Sequence, residues 1–368
     1  MNVNASPREL LNQIIPSLLA AGIAGALFIV VGATPPVRAA ALASVIGIMA
    51  FALRPMGMLF AVIGAVALAI TPAYWSQTGG TESINPLWVI GALAVGIFIT
   101  AAAYRLTHSA TWGVALGGIT LIAAALIAQL LGVTDSRSLR LTTLLSAAML
   151  ALLTDMVWRS NPRADSPPMR ALFPSHIAFL LVTFTLGVIN DPMIALFAPA
   201  LVLAILLMRI KIAPLAWGVI GLVILFGAIR LINIYGEPNY WVYPAESAIA
   251  ADLHVPFLIG GAWREAERWI SVIGFLVSQF TAVGLALAVV GLARLSRWHA
   301  PVSMVTLAAF AAYALFGLIY FGGDSTVLLL PLLMIQAFWI TYALVTVRDW
   351  IIKITSASRK WRGSQNLV

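Results

Sequence analysis

The chain has 368 residues, of which 62% are hydrophobic and only 9% are charged, and its mean hydropathy is +1.00. Soluble domains carry about 25% charged residues, so this composition excludes a water-soluble globular protein and predicts a polytopic membrane protein. The net charge of +8 does not indicate nucleic-acid binding here. In a chain this apolar, basic residues mark membrane topology and contact with anionic lipid headgroups. The sequence has no cysteine, which excludes disulfides and thiolate chemistry.

A membrane-spanning helix needs about 20 mostly apolar residues, and twelve stretches approach that length. They are residues 14–33, 39–53, 57–73, 87–104, 111–132, 141–158, 173–189, 192–208, 213–234, 270–293, 301–321 and 325–347. We therefore expect an all-α fold, a polytopic transmembrane helix bundle of about 12 spans forming one integral membrane domain over 1–368. The second and third stretches are short, so they could instead form a re-entrant hairpin.

The basic residues predict the orientation of the bundle. With both termini cytoplasmic, 15 of the 21 Lys and Arg residues fall on the inner side, as the positive-inside rule requires. We expect a multi-pass protein of the cytoplasmic (inner) membrane, with residues 348–368 as a basic cytoplasmic tail. Six arginines remain on the outer side: Arg38, Arg137, Arg140, Arg230, Arg264 and Arg268.

Residues 235–269, on the predicted outer face, form the longest stretch that cannot lie in lipid. This stretch holds seven aromatic residues, five carboxylates and two arginines. Aromatic rings at headgroup depth are common membrane-belt residues, but their flat amphipathic faces also bind sugars. The stretch provides four candidate sugar-binding rings: Tyr240, Trp241, Tyr243 and Trp263. Its candidate acids and bases are Glu246, Asp252 and His254.

Charged residues elsewhere have simple structural interpretations. Asp155 precedes Arg159 by four positions, which favours a local ion pair on one helix face. Asp191 and Asp324 lie in short turns, where an acid usually caps the following helix. Arg230 lies one turn inside the outer end of its span, where it can snorkel to the interface or hold a phosphate in an outer cavity. No histidine has a second ligand three or four residues away, so no metal site is predicted.

Residues 213–347 contain three successive patterns: GLVILFGAIRLINIY, FLVSQFTAVGLALAVVGLARLSR and FGLIYFGGDSTVLLLPLLMIQAFWITYALV. This succession resembles the C-terminal half of membrane glycosyltransferases of the GT-C class, particularly the bacterial relatives of protein O-mannosyltransferases. The resemblance implies transfer of a sugar from a polyprenyl-phosphate donor at the outer leaflet, often with a divalent metal ion. Arg230 and Asp324 match the C-terminal pattern, and residues 1–212 would form the N-terminal helices.

The sequence departs from the GT-C pattern in the first outer loop. In that class this loop carries the catalytic acid, whereas residues 34–38 here contain no carboxylate. A second resemblance is topological: O-antigen-ligase-type enzymes also have about twelve spans and place a functional loop between the ninth and tenth. Their outer His and Arg residues would correspond to His254, Arg230, Arg264 and Arg268.

We therefore expect a glycosyltransferase-like protein that acts on a polyprenyl-phosphate-linked sugar at the outer leaflet. Its partners would be membrane lipids and the lipid-linked sugar donor, with no nucleic acid. Arg230, Arg264 and Arg268 would hold the lipid phosphate, and a carboxylate would activate the acceptor hydroxyl. One alternative is a non-catalytic integral subunit of a larger membrane complex, with other membrane subunits as partners. The remaining alternatives are an O-antigen-ligase-like enzyme and a transporter.

Overall fold

A computed structural model of the protein describes residues 7–78, 86–130, 139–160, 173–208, 214–235, 261–320 and 325–365. These residues form helices joined by short turns, and no strand occurs among them, which confirms the predicted all-α class. The principal helices in chain order are α1 (Pro7–Val30), α2 (Pro36–Leu53), α3 (Met58–Ala69), α4 (Pro72–Trp75), α5 (Pro86–Thr107), α6 (Ala110–Leu130), α7 (Leu139–Ser160), α8 (Phe173–Asn190), α9 (Ala198–Leu207), α10 (Pro214–Tyr235), α11 (Ala266–Trp298), α12 (Ala300–Ile319) and α13 (Leu330–Gln365). Short 3-10 or α-helical turns at Arg54–Met56, Ser76–Thr78, Pro192–Phe197, Ala262–Arg264 and Ser325–Leu328 connect or extend them.

Several of these helices could cross a membrane. Within the described ranges, six helices are long and apolar enough to do so, or seven if α3 and the segment after it count as one span. Each of the twelve apolar stretches in the sequence coincides with a helix or with a helix and its adjoining turn. The number of spans and the side on which the termini lie remain predictions.

The bundle has two ends, which we name by their contents. At the basic end, Asp155 near the end of α7 pairs with Arg54, and the Trp158 ring lies 4.2 Å from that of His299. The loop end is where α7 and α11 begin and where α8, α10 and α12 end. The loop end holds the four described arginines that were predicted to lie on the same side of the membrane: Arg38, Arg230, Arg264 and Arg268.

Helices α7 and α13 occupy the centre of the bundle. In each, 67% of the apolar window is buried, compared with 17% in α6 and 22% in α11. Apolar side chains on the outside of α5, α6 and α10 are correspondingly exposed, as expected of surfaces that face lipid tails. Helices α7 and α13 are thus surrounded by other helices, whereas α6 and α11 lie at the periphery of the bundle.

The second and third apolar stretches differ in shape. The second forms a 21-residue apolar helix, Pro36–Met56, which is long enough to cross a membrane alone. The third consists of Met58–Ala69 and Pro72–Thr78, which are bent by 64° where Thr71 precedes Pro72. Proline restricts the preceding residue to extended conformations, and Thr71 has φ −65° and ψ 140°. Among the described residues, this third stretch has the shape of a broken span or a re-entrant loop.

The structure shows the contacts of two acids for which the sequence predicts structural roles, Asp191 and Asp155. Asp191 caps the turn Pro192–Phe197, since its Oδ1 accepts a hydrogen bond from the Met193 backbone N–H at 3.0 Å, which confirms the capping prediction. Asp155 pairs with Arg54, which follows α2 and lies 101 positions away in the chain. The side chain of Arg159, its predicted partner, lies outside the described part of the structure.

Candidate functional site at the loop end

Arg230 joins α10 to the end of α8. Its Nη1 donates a hydrogen bond to the Val188 backbone oxygen at 2.9 Å and a second to the Ile189 oxygen. The last carbonyls of a helix have no partner within the helix, and a cation satisfies both their hydrogen bonding and their partial negative charge. These two bonds give Arg230 a structural role at the end of α8, and its predicted role in phosphate binding stays a prediction.

Arg268, in the first turn of α11, binds the end of α12 in the same way. Its Nε donates to the Leu318 oxygen at 3.0 Å, and its Nη2 donates to the Gly317 oxygen at 2.8 Å and to the Tyr320 oxygen. A planar guanidinium suits such a set of carbonyls because its N–H groups point in fixed, divergent directions. The half-buried side chain of Arg268 also lines a cavity.

This cavity, of about 160 Å³, lies between α11, α12 and the start of α13. Four of its lining residues are polar: Arg268, Ser271, Tyr320 and Ser325. The others are apolar: Val272, Phe275, Gly317 and Leu329. Ser271 and Phe275 lie one turn apart on α11, so the lining changes from a cation to hydroxyls and then to hydrocarbon along that helix. Such a lining suits an amphiphile with an anionic or hydroxylated head.

The surface next to the cavity is aromatic and basic. Trp263 and Trp269 are about half exposed, and the Trp269 indole N–H donates to the Trp263 backbone oxygen at 2.7 Å. The guanidinium of Arg264 lies 5.2 Å from the centre of the Trp263 ring and is exposed. Although Arg264 and Arg268 are four residues apart, the chain between them changes from a 3-10 turn to an α-helix. Their surroundings consequently differ, because the Arg264 side chain is exposed and the Arg268 side chain contacts α12.

The structure therefore brings together three predicted residues, Trp263, Arg264 and Arg268, and leaves Arg230 at the end of α8. The remaining predicted site residues lie outside the described ranges: Tyr240, Trp241, Tyr243, Glu246, Asp252, His254 and Asp324. Within the described ranges, no group of three His, Asp or Glu side chains is arranged to hold a metal ion. The metal ion implied by the GT-C resemblance thus has no candidate ligand set among the described residues.

Three cavity residues, Ser271, Tyr320 and Ser325, were not among the site residues predicted from the sequence. Ser271 follows Arg268 at the spacing of one helical turn, a signal that was available in the sequence. Ser325 and Tyr320 flank the segment 321–324, and only the packing of α12 against α11 brings them to the same cavity. No local pattern indicates that contact.

A buried polar cluster at the loop end was also not predicted from the sequence. The Thr142 hydroxyl donates to Asp191 Oδ2 at 3.1 Å and accepts from the Asn190 amide at 2.9 Å. The Thr143 hydroxyl donates to Gln77 Oε1 at 3.0 Å. These bonds join the start of α7 to the end of α8 and to the turn after α4. The cluster therefore holds the start of α7, the end of α8 and the turn after α4 in fixed relative positions.

Comparison of the chain with protein families, with curated proteins and with solved structures finds no match.

Proposed function

We propose that the protein binds a phosphate-bearing lipid in the cavity at Arg268 and acts as a glycosyltransferase-like protein on a polyprenyl-phosphate-linked sugar. The observation that carries this proposal is the cavity lining, in which Arg268 and three hydroxyl-bearing residues adjoin Val272, Phe275 and Leu329. A guanidinium binds phosphate oxygens through charge-assisted hydrogen bonds, and the apolar wall suits the first isoprene units. Arg264, exposed beside Trp263, provides a second cation near the entrance.

The proposal includes a topology. The protein would lie in the cytoplasmic membrane with about twelve spans, both termini in the cytoplasm and the loop end facing outward. The distribution of the 21 Lys and Arg residues supports this orientation, because most of them would then lie on the cytoplasmic side. The cavity would open at the outer leaflet, where polyprenyl-linked sugars are used.

Sugar transfer in this arrangement requires one base and a stabilised leaving group. Glu246 or Asp252, with His254 as an alternative, would accept the proton of the acceptor hydroxyl. The hydroxyl oxygen then forms a bond to C1 of the sugar, while the bond from C1 to the phosphate oxygen breaks and its electron pair stays on the phosphate. Arg268 and Arg264 would stabilise the charge that develops there. A divalent metal ion, where the family resemblance holds, would serve the same purpose.

A second candidate function is a non-catalytic subunit of a larger membrane complex. Arg230 and Arg268 donate hydrogen bonds to the backbone carbonyls of α8 and α12, which is a structural use of both residues. The absence of a carboxylate from residues 34–38 also favours this candidate. In that case the protein would copurify with membrane partners and would have no affinity for polyprenyl phosphate.

A blocked cavity tests the proposed function. Ser271→Trp fills the cavity from an exposed position and leaves Arg268 in place, whereas Ser296→Trp adds the same ring near the other end of α11. Both hydroxyls donate to carbonyls of their own helix, so the two variants lose similar bonds. We expect Ser271→Trp, but not Ser296→Trp, to lose binding of polyprenyl phosphate and sugar transfer in reconstituted vesicles.

Native mass spectrometry measures the lipid binding, and a radiolabelled donor measures the transfer. An unmodified protein that neither binds polyprenyl phosphate nor transfers sugar, and that copurifies with membrane partners, would favour the non-catalytic subunit. Equal binding by both variants contradicts a lipid-phosphate site in this cavity.

A further inference from the structure

Helix α11 contains one non-helical residue, Thr281, whose φ is 65° and whose ψ is 170°. This helix is one of the six that could cross a membrane. Its two tryptophans, Trp269 and Trp298, are half exposed and lie about 43 Å apart at the helical rise, which is the thickness of a bilayer with its headgroups. Thr281 lies about 18 Å from Trp269 by the same measure. The kink is therefore inside the hydrocarbon region.

The side chain of Thr281 is exposed on the outside of the bundle. In other apolar helices, Thr100, Thr120 and Thr183 each donate a hydrogen bond to the backbone oxygen four residues earlier. That bond satisfies a hydroxyl inside its own helix. Because Thr281 is not helical, its hydroxyl makes no such bond to any residue that the structure describes. Facing lipid is then unfavourable, since hydrocarbon tails neither donate nor accept hydrogen bonds.

The backbone at the kink has the same requirement. Non-helical backbone at hydrocarbon depth is found only where other protein buries it or where it lines a water-filled cavity. Only 22% of the apolar window of α11 is buried by the described part of the chain, and Thr281 lies on the exposed part. The lining of the cavity at Arg268 ends on α11 at Phe275, so it does not include the kink. A further helix is therefore required on this face.

The face around Thr281 suits close contact with another helix. Ser278, Ala282 and Ala286 are exposed there at intervals of four residues. Small residues at this spacing let two membrane helices approach closely. The face is also uncharged, because residues 269–293 contain no Asp, Glu, Lys or Arg. It thus admits a neighbouring backbone and presents hydroxyl groups at its centre.

We propose that this face of α11, defined by Ser278, Thr281, Ala282 and Ala286, is an interface between two copies of the protein. Two copies with the same orientation in one membrane are related by a two-fold axis along the membrane normal, which brings identical residues to the same depth. A hydroxyl both donates and accepts, so Thr281 is complementary to the same face of a second copy. The uncharged surface adds no repulsion between identical faces. A helix of a different protein fits only if it carries a polar group at this same depth.

Disulfide formation in native membranes tests the interface, because the chain has no cysteine of its own. Two cysteines can join only where their Cα atoms lie about 4.4–6.8 Å apart. We expect Thr281→Cys or Ala282→Cys, oxidised separately, to form a covalent dimer of the protein. The control, Leu225→Cys, is exposed near the middle of α10 and should stay monomeric. The interface is wrong if neither α11 cysteine gives a dimer, or if they join only to a different protein.

A matched pair of substitutions measures the strength of the contact. Ala282→Leu places a larger side chain between the two copies, whereas Ala123→Leu makes the same change at an exposed position of α6. Energy transfer between labelled copies in vesicles, followed as the protein is diluted with lipid, gives the dissociation constant of the dimer. We expect Ala282→Leu, but not Ala123→Leu, to raise this constant about tenfold or more. Equal constants, or an unmodified protein that is monomeric at every dilution, overturn the proposal.

Discussion

At the scale of single residues, charged side chains in this protein connect distant segments. Arg54 and Asp155 pair between α2 and α7 with side-chain exposures of 13% and 6%. The chain brings them together from 101 positions apart. A buried charge needs a partner within reach, and only the fold brings Arg54 to Asp155.

This pair leads to a stability prediction. Asp155→Ala leaves the Arg54 guanidinium without its buried partner, so we expect a loss of about 3–5 kcal/mol in the free energy of unfolding. Asp349→Ala is the control, because Asp349 pairs with Arg348 at exposures near 50%. An exposed pair contributes about 1 kcal/mol or less. Thermal midpoints in detergent measure both variants, and equal shifts would contradict a structural role for the buried pair.

At the scale of helices, close approach depends on glycine at a few positions. A Cβ added to Gly291 of α11 would lie 1.9 Å from the Trp339 backbone oxygen of α13. No side chain can occupy that position without moving one backbone away from the other. Gly274, on the same helix, has no atom within 4 Å of its added Cβ.

These two glycines provide a matched pair of variants. Gly291→Ala should separate α11 from α13 and reduce stability by about 1–3 kcal/mol, the usual cost of overpacking. Gly274→Ala should be neutral or stabilise by up to about 1 kcal/mol, because alanine favours the helix. Thermal midpoints of the purified variants measure the difference. The proposed α11–α13 contact is wrong if Gly291→Ala is as stable as Gly274→Ala.

At the scale of the whole molecule, the open question is which end faces outward. The described arginines of the predicted outer side lie together at the loop end, and Arg54, Arg294 and Arg348 lie at the basic end. This segregation agrees with a single orientation in the membrane. Assignment of the loop end to the outer face relies on the positive-inside rule.

Single cysteines test that orientation, since the chain has none of its own. Glu265→Cys is exposed at the loop end, and Arg297→Cys is exposed at the basic end. In intact cells, an impermeant thiol reagent should label the first variant and should label the second only after permeabilisation. The reverse pattern would place both termini outside.

The sequence by itself determined the class of the protein and the positions of its helices. A span needs a continuous apolar run, and in this chain turns or charged residues bound each run, so the runs can be recognised without tertiary information. The partners of Arg230 and Arg268, and the cavity beside Arg268, were decided only by the tertiary structure. Those partners are backbone carbonyls 41 to 52 positions away, on helices whose side chains give no indication of the contact. Carbonyl groups are present at every residue, so only the packing of α8 against α10 and of α11 against α12 selects which of them meet a guanidinium.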